Sequence, residues 1–326
     1  MAYTADDLET EVRRRTRLPT ASDISSAEIL GIADDEIATT LSDLIRNVDP
    51  SFWLTTHTAT IVSGTATYAL PSRAIGAGLE RVELEDDSGN RQPVVALNEH
   101  DVWRWANGGR DALWTGRFAY IVEGAFVRLF PAPTDADAGL TLRVRYQRTP
   151  SRLTLTTDAA SITNADTTTT LIITATPPAW VDGIADADRY VDIVRSDGAH
   201  ELALADGIAT GYSDVSNTVT LSASTPIVVA DIADTTIANG GRVDYLCQAG
   251  ETCYPQVPVT LWPVLVRAVT RTVLDGLGDD RGAARAQAIL EQRIAAAKSV
   301  VTPRTRQVPT FVNHNSYLRR GRGWGG

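Results

Sequence analysis

The sequence predicts an α+β chain: a helical bundle with an antiparallel β domain attached, an inserted acidic all-β domain of sandwich or barrel type, and an extended C-terminal tail. Three observations carry this. Apolar residues recur at steps of three and four near both ends of the 326-residue chain, they alternate at period two through its middle, and residues 302–326 show neither period. The units implied are 1–153 (first helices and β domain), 154–254 (acidic β domain), 255–301 (helices completing the first unit) and 302–326 (tail).

The first helix is predicted from Thr4-Ala5-Asp6-Asp7, a hydroxyl followed by acids at a helix start, with Leu8 and Val12 on one face. Ser25-Ser26-Ala27-Glu28 has capping-box spacing. It precedes Ile29, Ile32, Ala33, Ile37, Leu41, Leu44, Ile45 and Val48, which read as the continuous stripe of one helix. After Pro50 the period becomes two. Thr58–Ile61 and Thr65–Leu70 read as a hairpin about Ser63-Gly64, and Leu79–Glu85 and Gln92–Leu97 as a pair about the 86–90 turn. Tyr120–Val122, Phe126–Phe130 and Leu140–Tyr146 are three more strands, joined at Glu123-Gly124 and 135–139. The expected result is a mostly antiparallel sheet packed on the first helices.

Between Thr154 and Tyr254 the chain is rich in Thr, Ala and Asp, with strands expected at 171–173, 191–194, 202–204, 219–221 and 243–247 and a hairpin turn at Asp197-Gly198. Fourteen acids there face only Arg189, Arg195 and Arg242, a net of −11. Helical period returns with Leu261, Leu265, Val266, Val269, Val273, Leu274 and Leu277, Pro263 sitting in the first turn. Gly276 and Gly278 end that helix, and Asp279-Asp280 opens another that turns Ala286, Ile289, Leu290, Ile294 and Ala297 inward.

Composition narrows the function classes. A hydrophobic content of 43% with no apolar run near the roughly 20 residues of a membrane helix argues against a membrane protein. The first residues, MAYTADDLETEVRRRT, carry neither a secretory signal nor a lipidation motif, so folding in the cytosol is expected. Cys247 and Cys253 make no disulfide framework and read as free, structural thiols. The net charge is −10, yet 302–326 holds five arginines and no acid, which leaves −15 on the rest.

No catalytic residue, cofactor site or metal site is assigned. His57, His100, His200 and His314 lie in separate segments without partners at a recognisable spacing. Asp182, Asp186, Asp188 and Asp192 fail calcium-loop spacing and read as a solvated acidic loop. Gly276, Gly278 and Gly282 miss the dinucleotide fingerprint and read as helix caps. Trp103, Trp105 and Trp114 beside Arg104 and Arg110 suit core or subunit-interface anchoring better than base or sugar stacking. The tail alternates charge with rigid aromatic area at Arg304, Arg306, Phe311, Tyr317, Arg319, Arg320 and Trp324, which fits ordering on the surface of a partner.

The order of elements resembles the head-to-tail connector, or adaptor, proteins of tailed bacteriophages. The resemblance rests on Glu11-Val12-Arg13-Arg14-Arg15, SSAEILGIADDEIATTL, TATIVSGTATYALP, YIVEGAFVRLFPAPTDADAGLTLRVRYQRTP and VPVTLWPVLVRAVTRTVL, covering most of 4–153 and 257–298. The family usually passes from RTP directly to the last helices, whereas about 100 residues intervene here. The resemblance implies a non-enzymatic virion protein at the neck, assembled in the host cytoplasm as a ring of twelve copies beneath the portal. It further implies a tail that binds the portal protein through the seven residues just named, docking of downstream tail or nozzle proteins, and a channel that passes double-stranded DNA without specific binding. An acidic channel wall would suit that passage.

Other readings start from other residues. A stopper, nozzle or baseplate component would use the acidic insertion as its working surface. A carbohydrate-binding module or glycoside hydrolase would use the tryptophans with two carboxylates about 5 to 9 Å apart. A nucleic-acid-binding protein is opposed by the acidic body.

Overall fold

In the computed structural model, residues 3–18, 24–71, 73–97, 118–184, 189–195, 202–223, 227 and 243–301 are described. Helix α1 (Ala5–Thr16) and helix α2 (Ser26–Ala38) both begin in the expected capping boxes, Thr4 with Asp7 and Ser25 with Glu28. The stripe that follows is broken into two helices. Backbone N–H of Leu41 reaches back to the carbonyl of Glu36 at 2.9 Å, one residue further than a helix allows, while the Thr39 and Thr40 hydroxyls bond the Asp35 carbonyl and the Glu36 carboxylate (both 2.6 Å). Helix α3 (Ser42–Val48) then restarts, and Leu41, Leu44 and Ile45 still reach the core of α1 and α2. Apolar spacing survives such a break, so the stripe alone could not reveal it.

Seven strands form one sheet: β1 (Leu54–Thr60), β2 (Thr67–Ala69), β3 (Ala74–Glu85), β4 (Arg91–Ala96), β5 (Ala119–Glu123), β6 (Phe126–Phe130) and β7 (Thr141–Arg148), in the order β1-β7-β3-β4-β5-β6-β2. The β3–β4 and β5–β6 pairs are as expected. Gly124, at φ +61°, opens the two-residue turn of the second pair. The hairpin about Ser63-Gly64 does not form. β1 pairs with β7 along all seven residues and β2 pairs with β6, while the turn is held by the 131–139 segment through Gly64 N–H to the Pro133 carbonyl (2.8 Å) and Ser63 Oγ to Asp135 Oδ1 (2.5 Å). Alternation marks a strand but does not choose its partner.

Nor does this sheet pack broadly on the helices. It curls around a core of its own, among others Ile61, Tyr68, Val82, Val127, Leu129 and Leu142, and among the described residues no helix contributes to that cluster. Phe52 and Trp53, just before β1, reach the helical core, as does Leu153 after β7.

After β8 (Arg152–Leu153) the chain enters a closed barrel: β9 (Ala160–Thr167), β10 (Thr170–Ile173), β11 (Arg189–Val194), β12 (Leu202–Ser213), β13 (Thr218–Leu221) and β14 (Asp244–Gln248), ordered β10-β13-β12-β11-β14-β9. Of the two architectures expected, the barrel forms, and closure leaves no free sheet edge. Short helix α4 (Ala179–Asp182) adds Val181 to the barrel core. Strand β9 was absent from the expected set, its apolar residues being diluted by Thr, Asn and Asp. The expected Asp197-Gly198 turn lies outside the described residues.

β15 (Glu251–Thr252) pairs parallel with β8 and returns the chain to the helices. Helix α5 (Trp262–Gly276) carries Pro263 in its first turn, Gly278 turns the chain at φ +74°, and Asp279 Oδ1 accepts Gly282 N–H (2.9 Å) at the start of helix α6 (Asp280–Val301). Leu8, Val12, Ile29, Ile37, Leu265 and Val269 bring α1, α2 and α5 into one core.

Candidate functional site

The most elaborate polar arrangement lies where the barrel meets the curled sheet. Along β7 the buried row Leu142, Val144 and Tyr146 continues to Arg148, which is equally buried. Arg73, just before β3, stands beside it. The barrel answers with Asp192 of β11, which has no solvent exposure and accepts hydrogen bonds from Arg73 Nη1 (2.5 Å), the Asp206 N–H (2.8 Å) and the Gly250 N–H (3.0 Å). Asp206, on β12 in the left-handed region at φ +51°, thereby turns its amide onto Asp192.

Arg73 Nη2 also donates to Ser151 Oγ, the Ser151 N–H donates to Gln256 Oε1 (2.8 Å), and Trp53 Nε1 donates to the Gln256 carbonyl (3.2 Å). One chain of bonds therefore runs from barrel to sheet to helical core. Burial shifts the groups around it. Arg148 is brought down to about 10, first by desolvation and then by the neighbouring Arg73. Asp206 is pushed up by desolvation and by Asp192, and the half-buried His57 of β1 is pushed down by desolvation against the pull of Asp206. Two arginines and two aspartates from different units meet here. The arrangement can fix the orientation of the barrel.

A second electrostatic feature lies on the helices. Glu11 of α1 binds Arg14 through both carboxylate oxygens (2.7 and 2.8 Å) and Arg15 Nε (2.7 Å), and these bonds hold its carboxyl down at about 2, with Arg14 the largest cause. Arg267 of α5 lies in the field of Arg15, Arg293 and Arg14, which, after desolvation, lowers its affinity for a proton. Arg14 and Arg15 thus bind this carboxylate, which also attracts Arg267, and Arg293 adds a further positive charge beside Arg267, on a chain whose net charge is −10.

The residues singled out from sequence are distributed differently. The tail residues Arg304, Arg306, Phe311, Tyr317, Arg319, Arg320 and Trp324 lie outside the described residues, as do Trp103, Trp105, Trp114, Arg104, Arg110, His100, His200 and His314. Of the four aspartates read as a solvated loop, Asp182 is exposed and Asp186 and Asp188 fall outside the described residues. Asp192 contradicts that reading, because it is a strand residue sealed in an ion pair. Among the described residues no group of three or more His, Cys, Asp or Glu side chains is placed to hold a metal, and no helix is long and apolar enough to cross a membrane.

Two signals could have disclosed the joint. Asp192 interrupts the apolar run Val191-Asp192-Ile193-Val194, and Arg148 falls in phase with the buried face of its strand. A charge at a core position requires a partner.

The family model described as SU10 adaptor protein matches residues 3–220, about two thirds of the chain. The chain belongs to the SU10 adaptor protein family. Its members are phage adaptor proteins, so this adaptor is a structural component of a virion. The match runs on past residue 153 through the barrel strands β9 to β12. No curated protein sequence matches the chain.

Proposed function

We propose that this adaptor assembles as a closed ring, of about twelve copies by analogy with the connectors it resembles, at the junction between phage head and tail. Residues 1–153 and 255–301 form the ring body, and the 154–254 unit projects from it toward downstream tail or nozzle proteins. The 302–326 tail docks on the portal protein through Arg304, Arg306, Phe311, Tyr317, Arg319, Arg320 and Trp324. The carrying observation is the family match over residues 3–220, followed by a segment of five arginines without an acid.

Charge supports the assignment of roles. A rotationally closed ring sets one face of each copy against a different face of the next. The arginines around Glu11 suit an acidic neighbour in such a contact. With −15 outside the tail, a channel built from this chain would repel phosphate and let duplex DNA pass without adhering.

Purified portal rings incubated with the full chain and with a truncation ending at Val301 test the reading, with assembly followed by mass photometry. The full chain is expected to add as a ring and the truncation, still folded, to lose portal binding. Equal binding by both, or binding by neither, would overturn the docking role of the tail and favour a nozzle or baseplate position.

A further inference from the structure

Two buried thiols, Cys247 and Cys253, lie against each other beside the barrel. Cys247 lies in β14 and Cys253 follows β15, and their sulfur atoms are 3.8 Å apart. Both are fully buried, packed with Ala159, Val194 and Tyr254. Between them Gly250, at φ +88°, turns the chain back on itself, a conformation that a side chain would strain.

The segment these thiols bracket holds the molecule together at several points. Its Gly250 N–H donates to Asp192, the carbonyl of Cys253 accepts the Ala5 N–H (2.7 Å), and Cys253 Sγ meets the Leu155 carbonyl at 3.7 Å. Barrel, charge joint and first helix all converge on residues 247–253.

We propose that Cys247 and Cys253 are a disulfide-forming pair, reduced while the chain folds and cross-linked when it meets a small-molecule disulfide in an oxidising medium. The sulfurs already touch, and bonding at about 2.05 Å needs an approach of under ~2 Å, within reach of side-chain rotation and a small adjustment of the turn. The thiolate of one cysteine attacks the oxidant's disulfide, leaving a mixed disulfide and releasing one thiol. The second cysteine, deprotonated, attacks the protein sulfur of that mixed disulfide and expels the second thiol. Two electrons pass from the pair to the oxidant, whose S–S bond is broken, and the two cysteine protons end on the released thiols.

A virion component leaves the reducing interior in which it is made, and the medium outside sustains disulfides. Burial controls the rate. The neighbouring Cys247 sulfur and desolvation both push the Cys253 thiol well above its ordinary range, so the reactive thiolate is scarce until the segment opens.

The test is an equilibrium measurement, so slow access cannot conceal the answer. The full chain is annealed in glutathione buffers of graded oxidation at a urea concentration just below its unfolding midpoint, then denatured, treated with maleimide and weighed intact. One step is expected to a species lighter by about 2 Da that takes no maleimide. Its midpoint should lie at a more reducing ratio than for the fully unfolded chain, its urea midpoint should rise, and Cys247→Ala and Cys253→Ala should lack the step. Two maleimide-reactive thiols at ratios that oxidise the unfolded chain, glutathione retained on either cysteine, linked dimers, or an oxidised chain that unfolds without cooperativity would each overturn the pairing.

Discussion

Two carboxylates inside this protein, Glu36 in the helical layer and Asp192 at the barrel joint, are satisfied in different ways. Glu36 receives Thr40 Oγ1 (2.6 Å) from its own helix end, and Arg271 Nη2 (2.8 Å) and Thr272 Oγ1 (2.6 Å) from α5. Its cation, Arg271, keeps 36% of its side chain in solvent. Asp192 has no such outlet: its cation Arg73 is 11% exposed and its remaining partners are backbone amides. The helical layer can therefore hydrate a cation that loses its carboxylate, whereas the joint cannot. That contrast sets the order of effects expected from breaking each.

Asp192→Ala is expected to be the most damaging of these changes. It removes the acceptor from the buried Arg73 and from two amide groups at once, and breaking one side of a buried pair costs about 3–5 kcal/mol. Urea unfolding should show that loss, and a separate early transition would mean that the barrel detaches first. The double variant Arg73→Met with Asp192→Leu sharpens the point. It should be less damaged than Asp192→Ala because no charge is stranded, yet still weaker than the parent because the Asp206 and Gly250 amides lose their acceptor. Equal stability of the single variant and the parent would show that water reaches the joint.

Glu36→Ala is expected to cost less, about 1–3 kcal/mol, since two hydroxyls lose a charged acceptor while Arg271 turns to solvent. Glu36→Gln should recover about half, keeping oxygen and nitrogen within reach of the same groups. A larger loss for Glu36→Ala than for Asp192→Ala, in the same unfolding assay, would invert the comparison.

The same contrast explains what the sequence discloses. Helix starts were legible because a capping box is a local device: Ser25 and Glu28 recognise each other within one turn, whatever the rest of the chain does. The β3–β4 and β5–β6 turns were legible for the same reason. Partnerships across long separations were not. Nothing near Leu54–Thr60 specifies Thr141–Gln147, and Arg73 finds Asp192 from 119 residues away. The interruption of an apolar run by Asp192 shows that it needs a partner, but nothing in either segment shows that the partner is Arg73. The proposed portal-contact residues follow from composition and resemblance alone, since 302–326 lies outside the described residues.

Asp34 gives the smallest effect and the most selective one. It sits on α2, half-buried, with Oδ1 accepting the Leu153 N–H at 2.9 Å, so it ties the helical layer to the strand that leads into the barrel. Desolvation pushes its carboxyl up to about 6, against the pull of that amide and of Arg152. A folded-state value above the unfolded one means that the native chain holds the proton over roughly pH 4–6 while the unfolded chain has released it. The contribution of Asp34 to stability is therefore largest below this window and falls as pH rises through it. Asp34→Asn keeps an oxygen for Leu153 and removes the titration. Its stability relative to the parent should climb from pH 4 to pH 6 by about 1 kcal/mol, a value reduced from full burial because solvent screens the site, and then stay level. Thermal unfolding of both chains across that range decides it. A difference that does not change with pH would mean that Asp34 is already charged and well solvated in the native state, and that the link between helix and barrel strand costs no desolvation.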